Sequence, residues 1–499
     1  MNINNENSNN NFIFWDEELE MTKNGCPTNT SSGSSCLDLF FCAGSARKMS
    51  SDDIYKLVVR SYAEDPDMTM KIIFFARDIR GGLGERKFFR TAINVLVKTA
   101  PDSVRRNMQY IAEYGRYDDI LPLLDTELAK EVAALIKKQL KADIEAMNSS
   151  EKVSLLAKWL PSVNTSSSAT VARAKKLASL LGMKECQYRK TLASLRKYTD
   201  ILENRLRERD YTFSYEIQPS RAMLKYRKAF MRNDKERYDQ YIQKVNSGEA
   251  KIHADCLFPY DIVRTCINSR PCDEEKRALD AEWRSLPELK AAAGENALVV
   301  VDGSGSMYGC YARDALRPID AAISLGIYFA EHNKGAFANH FITFSERPRL
   351  VELKGSNIVD KVKYCMTFNE CANTNLEAVF NQILCTAVRK QLTNDDMPKK
   401  IYIISDMEFD YCVGGGNNAT LYDTMKKRYH DNGYELPEVV FWNVNSRAEN
   451  VPVKMNANGT ALVSGYTPAI FDMVASGGVS PSEIMLKAIS SERYAPVSA

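Results

Sequence analysis

Residues 297–306 read Ala-Leu-Val-Val-Val-Asp-Gly-Ser-Gly-Ser, and the fold turns on this stretch. Five consecutive apolar residues without polar alternation suit a strand buried on both faces, as in a parallel sheet flanked by helices. The run ends at Asp302, and the glycines at 303 and 305 let the chain turn sharply just beyond it. The alternation continues downstream. Ile319, Ala322, Ile323, Ile327 and Ala330 share one helix face; His340–Phe344, Lys400–Ile404 and Val439–Trp442 have strand character; helical patterns occupy 356–366, 375–391 and 418–430. Strand and helix in turn predict a doubly wound, Rossmann-like α/β domain over residues 295–499. Ligands of such sheets lie beyond the carboxyl ends of the strands, where the strand order reverses.

Asp302, Ser304 and Ser306 place one carboxylate and two hydroxyls on alternating positions of that turn. All are hard oxygen donors. Mg²⁺ or Mn²⁺ takes such ligands in near-octahedral geometry and keeps some waters, so the residue types predict a divalent-cation site. Glu408 and Asp410 read as solvated loop acids or as groups behind the ligands. A metal-assisted hydrolase would need a base beside an activated water. The four histidines, at 253, 332, 340 and 430, stand outside the motif and read as structural or exposed, so the expectation is a binding protein and not an enzyme.

Upstream the character is helical. From Ser51 apolar residues recur at helical spacing, as in Leu128, Val132, Leu135, Ile136, Leu140 and Ile144, with breaks at Gly81-Gly82, Gly115, Pro122 and Pro161. Residues 51–294 therefore predict an α-helical, HEAT-like repeat domain, although no strict period marks a named repeat. Residues 1–50, Asn-rich and then Thr/Ser/Gly-rich, read as a polar, partly flexible tail or as a segment packed on the body.

The chain of 499 residues carries a net charge of +2, but the charge is segregated. Residues 171–245 hold nineteen Lys/Arg against nine Asp/Glu, whereas 296–499 hold nineteen against twenty-two. In the basic part cations interleave with aromatics, in Tyr188-Arg189-Lys190, Arg196-Lys197-Tyr198 and Lys225-Tyr226-Arg227-Lys228-Ala229-Phe230. That pattern suits an RNA surface; it also suits the solvated face of a helical stack. Twelve cysteines spread from Cys26 to Cys412 without zinc spacing read as reduced thiols. With no apolar run near ~20 residues and an Asn-rich start in place of a signal peptide, the expectation is a cytoplasmic protein with no membrane partner.

A strand followed by Asp302-x-Ser304-x-Ser306 resembles the metal-ion-dependent adhesion site of von Willebrand A domains. The resemblance implies that Thr374, in Asn373-Thr-Asn-Leu, and Asp406, after Ile401-Tyr-Ile-Ile-Ser405, complete the site, and that a partner's carboxylate or another anion fills an open position. The chain departs from the family in having Ala372-Asn373 where glycine often precedes the Thr, and no Gly after Asp406. A helical stack followed by such a domain is similar in layout to the TROVE-containing Ro autoantigen family. Arg77-Asp-Ile-Arg-Gly-Gly-Leu-Gly-Glu-Arg86, Tyr114-Gly-Arg-Tyr-Asp-Asp119, Lys158-Trp-Leu-Pro161 and Pro219-Ser-Arg-Ala-Met-Leu-Lys-Tyr-Arg227 resemble segments of a group of proteins with that layout. The resemblance implies binding of small structured or single-stranded RNA in a ribonucleoprotein. Arg77, Arg80, Arg86, Lys158, Arg221, Lys225, Arg227 and Lys228 are the RNA-facing candidates, with Arg116 and Asp118-Asp119 forming a salt-bridged helix start. The alternative is a metal-dependent protein-interaction scaffold without RNA, distinguished by loss of binding on chelation rather than by steep salt dependence.

Overall fold

The computed structural model describes residues 19–22, 27–254, 257–288, 296–309, 316–333, 337–344, 347–368, 375–409, 421–446, 451–476 and 480–499. The first described residues form a two-stranded antiparallel ribbon, β1 (Leu19–Met21) and β2 (Pro27–Asn29). Helices follow: α1 (Ser35–Ala43), α2 (Ser51–Glu64), α3 (Pro66–Arg77), α4 (Arg86–Thr99), α5 (Pro101–Asn107), α6 (Ile111–Tyr114), α7 (Ala129–Asn148) and α8 (Leu156–Trp159). The series continues with α9 (Ser168–Leu180), α10 (Glu185–Tyr198), α11 (Leu202–Glu208), α12 (Ser220–Asn233), α13 (Lys235–Ser247), α14 (Pro259–Asn268) and α15 (Asp273–Arg284). Local chemistry sets several of these starts. Ser50 accepts from the Asp53 amide, and Asp65 accepts from the Met68 amide with Pro66 at the first helical position, so one short link both stops α2 and starts α3.

The second half alternates strand and helix: β3 (Ala297–Asp302), α16 (Pro318–His332), β4 (His340–Phe344), β5 (Leu350–Glu352), α17 (Ile358–Met366), α18 (Leu376–Lys390), β6 (Lys400–Ser405), α19 (Leu421–Asp431), β7 (Glu438–Asn443), β8 (Thr460–Ser464), α20 (Ala469–Ala475) and α21 (Pro481–Ile489), of which β5, β8, α20 and α21 go beyond the sequence expectation. The strands form one sheet in the order β5-β4-β3-β6-β7-β8, parallel except for β5 at its edge. Helices cover both faces. Phe329 of α16 and Phe471 of α20 meet Tyr402 on one side, while Phe380 of α18 packs on Tyr429 of α19, and Tyr422 of α19 meets Phe441 on the other. Because the chain leaves β3 for β4 on one flank and returns to β6 on the other, the strand order reverses at the β3/β6 junction.

The helical part and the sheet share one apolar core, and a smaller core joins α11, α12, α13 and α15 through Phe213, Tyr215, Phe230 and Tyr238. The tail reading needs correction over residues 27–50. Eight of the nine residues of α1 are buried, and α1 packs on β8, where the Gly44 amide donates to Ser464 Oγ at 2.9 Å. Residues 1–18 lie outside the described set. At the opposite end Arg493 pairs with Asp78, and Tyr494 donates to the same carboxylate at 3.0 Å, so the last residues clasp the end of α3. Among the described residues no helix is long and apolar enough to cross a membrane.

Candidate functional site

The β3/β6 junction delivers two carboxylates to one place. Asp302, the last residue of β3, is fully buried, and Asp406, directly after β6, is nearly so. The Ser304 amide donates to Asp302 Oδ1 at 2.8 Å, Ser405 Oγ donates to Asp302 Oδ2 at 2.6 Å, and the hydroxyls of Ser304 and Ser306 stand 2.9 Å apart. Burial, with repulsion from the Asp406 carboxylate added, pushes the Asp302 carboxyl up to about 7 against the pull of the Ser405 and Ser304 hydrogen bonds. Keeping two neighbouring buried carboxylates both charged is costly, and a bound cation would offset that cost.

The donor set fits a hard divalent cation. Two carboxylates and two hydroxyls offer oxygen alone; among the described residues no group of three or more His, Cys, Asp or Glu stands together, here or elsewhere. Thr374 and Asp410 lie outside the described residues; the neighbour of Thr374, Asn375, caps α18 by accepting from the Ala378 amide at 2.8 Å. Glu408 is buried beside Asp406 and is not a solvated loop acid, which revises that alternative. Where the family resemblance leads one to expect glycine after Asp406, Met407 takes a φ of +63°, the left-handed conformation that glycine adopts without strain. The turn is thus kept without the glycine. The Lys48 ammonium, from the helical part, donates to the Gly309 carbonyl at the end of the serine loop. His332 and His340 each engage a nearby carbonyl, Tyr328 O and Ala338 O, both at 2.7 Å.

The RNA candidates separate. Arg77, 2% exposed, gives its guanidinium to Asp119, which also accepts from Arg90 and from the Arg116 amide. Arg227, 8% exposed, donates to the Leu224 carbonyl and lies 4.0 Å from Glu275. Neither faces solvent, so both are corrected: a buried Arg–carboxylate pair holds helices together and is closed to phosphate. The salt-bridged start at Arg116 stands, with Arg116 paired to Asp118 and stacked 3.9 Å over Trp159. Lys158 is half-buried against Glu203 at 3.4 Å, and Arg221 pairs with Asp261 at 3.1 Å. Arg80, Arg86, Lys225 and Lys228 are exposed; Arg86 has its proton held less tightly than usual, through partial burial and the charges of Arg116 and Arg90. Two patches result, one on the turn between α3 and α4 and one on α12. The rings divide as well: Tyr188 and Phe230 are core residues, the Tyr188 hydroxyl being committed to the Pro161 carbonyl at 2.8 Å, whereas Tyr198 is exposed and Tyr226 is partly buried beneath the Lys225 ammonium.

Comparison with known proteins follows the same division at the start of the sheet. Residues 296–493 match the family described as Domain of unknown function (DUF7788), and residues 22–125 and 125–294 match Domain of unknown function (DUF2828). "Uncharacterized protein L728" of Acanthamoeba polyphaga mimivirus is 28% identical over 496 residues, covering 91% of this chain and 84% of that protein. The crystal structure of the Deinococcus radiodurans Ro (RSR) protein aligns with 92% of this chain and 99% of that one, at 12% identity and a TM-score of 0.37. Since the matched stretch from 22 to 294 spans more than half of the 499 residues, the chain belongs to the family described as Domain of unknown function (DUF2828).

Proposed function

We propose that this protein is a non-catalytic RNA-binding protein whose α/β half is a von Willebrand A-type domain with a divalent-cation adhesion site for Mg²⁺ or Mn²⁺. The observation that carries the reading is the meeting of buried Asp302 and Asp406 with the Ser304 and Ser306 hydroxyls at the strand-order reversal. Asp302 and Asp406 would hold the ion, with the two serines and Thr374 filling the shell. When bound, the ion supplies an open position for a carboxylate or phosphate oxygen. The Ser304 amide and the Ser405 hydroxyl hold the Asp302 carboxylate in one orientation before any ion or ligand arrives.

RNA as the partner is supported by the charge excess of residues 171–245 and by exposed cations on the α3–α4 turn and on α12. The test is to purify the full chain in mild salt, follow the absorbance ratio at about 260 and 280 nm as salt is raised, and sequence any RNA that elutes. Defined RNAs released by salt support the reading. Nucleic-acid-free protein whose protein partners leave on chelation would replace it with the scaffold reading.

A further inference from the structure

We infer that the groove between α10, α11 and the 160–164 loop binds the phosphate backbone of single-stranded RNA. The inference rests on the RNA-binding reading above and gives it a place outside both patches named there. The groove holds about 860 Å³ and lies inside the most basic part of the chain.

Its walls are built and fixed. Arg196 donates Nε to the Ala157 carbonyl at 2.7 Å, Nη2 to the Leu160 carbonyl at 2.7 Å and Nη1 to Ser162 Oγ at 2.6 Å, which clamps the 160–164 loop to α10. Asn204 of α11 donates to the Arg196 carbonyl at 3.0 Å, and Arg205 is neutralised between Asp200 and Asp210. With those cations committed to structure, three others on α10 stay exposed. Arg189, Lys190 and Lys197 line the groove and have no ion pair among the described residues. Lys190 and Lys197 are seven residues apart, two helical turns or roughly 10 Å along one face, so they form a row that a chain of phosphates can follow.

The two sides of the groove differ in character. The α10 wall is cationic; the rest of the lining offers the neutral polar Ser162, Asn164 and Asn204, with Asp200 and Asp210 paired to Arg205 and Glu208 paired to Arg207. A nucleic-acid strand, with phosphates along one edge and neutral bases along the other, matches one cationic wall and one amide-lined wall. Among the residues that line the groove the only ring is that of Tyr188, which is buried, so binding there rests on charge and on hydrogen bonding by the amides, with little sequence preference.

The experiment measures fluorescence anisotropy of a labelled oligouridine of about 15 nucleotides with the full chain across a salt series. Wild type is compared with the triple variant R189Q/K190Q/K197Q and with K137Q/K138Q, which removes two exposed lysines of α7. Circular dichroism and melting temperature check that both variants fold. The expected result is roughly tenfold weaker binding by the triple variant, with the slope of log affinity against log salt shallower by about 2, from ~0.7 per lost phosphate contact. The α7 variant should match wild type. Equal binding by the triple variant and wild type overturns the groove and leaves the RNA reading standing. No binding by wild type even at low salt overturns both, and displacement of the oligouridine by an equal charge of polyglutamate overturns the choice of nucleic acid.

Discussion

Ser405, the last residue of β6, donates its hydroxyl to Asp302, the last residue of β3, with Oγ 2.6 Å from Oδ2. The two strands are parallel neighbours, so the bond ties the candidate ligand to a second strand and not only to its own loop. Ser405→Ala deprives a buried carboxylate of a donor, and the expected loss is about 1–3 kcal/mol of stability together with weaker Mn²⁺ binding. Chemical denaturation and Mn²⁺ titration of the same variant check both effects. Unchanged metal affinity would mean that Ser405 serves the fold alone.

Asp302→Asn tests the site itself. The amide removes one of two neighbouring carboxylates that burial and mutual repulsion make costly to ionise, the same two causes that raise the Asp302 pKa. Metal-free variant is therefore expected to melt no lower than metal-free wild type. Mn²⁺ at about 100 times its dissociation constant should stabilise wild type by ~2.7 kcal/mol and leave the variant where it was. Thermal melts with and without metal decide it, and equal stabilisation of the two proteins would remove Asp302 from the ligand set.

What the sequence revealed followed from how each element is buried. β3, β6 and β7 were legible because a strand covered on both faces has to be apolar throughout, and the Asp302-x-Ser304-x-Ser306 turn followed from the strand that precedes it. α1 was not, because a helix buried all round has no polar face to show a period, and Thr/Ser/Gly residues stand just before it. Exposure was the larger gap. Arg77 and Arg80 sit three residues apart in the same motif, yet one is buried on Asp119 and the other is exposed, a difference set by distant residues. The i, i+7 spacing of Lys190 and Lys197 was readable, but not the clamp by Arg196 that shapes the groove beside them.

Arg77→Ala separates the structural arginines from the RNA-facing ones. It takes one of two arginine partners from buried Asp119, which keeps Arg90 and the Arg116 amide, and the expected destabilisation is about 1–3 kcal/mol, read as a lower denaturation midpoint. At a temperature where the variant is still folded, its RNA affinity should equal that of wild type. A selective loss of RNA binding at full stability would reverse the assignment of Arg77.

Glu282 on α15 gives a pH prediction. It is buried, neither carboxyl oxygen meets a hydrogen-bond partner among the described residues, and burial pushes its pKa from the ordinary 4.5 up to about 8 in spite of the Arg227 charge. A raised folded-state value means that the folded protein holds the proton more tightly than the unfolded chain. The contribution to stability is therefore full below about pH 4.5 and is lost as pH rises through about 8, at up to ~1.4 kcal/mol per pH unit. Glu282→Gln should flatten that part of the stability–pH curve, as urea midpoints taken across the window would show. A curve parallel to that of wild type would exclude Glu282 as its source.

Gly44 marks where the amino-terminal helix meets the sheet. A Cβ at this position would stand 2.4 Å from the Ser464 carbonyl oxygen, and that atom belongs to the backbone of β8, which cannot swing aside as a side chain would. Gly44→Ala must therefore push α1 off the sheet edge, strain the Gly44–Ser464 hydrogen bond and loosen the Ser45–Ser446 contact beside it. The expected cost is about 1–3 kcal/mol, the range for overpacking. Faster hydrogen exchange should appear in α1 and β8 together, whereas α12 and α13, which pack in the separate core, should exchange as before. Exchange that rises in α1 alone would show that the helix rests on the sheet without supporting it.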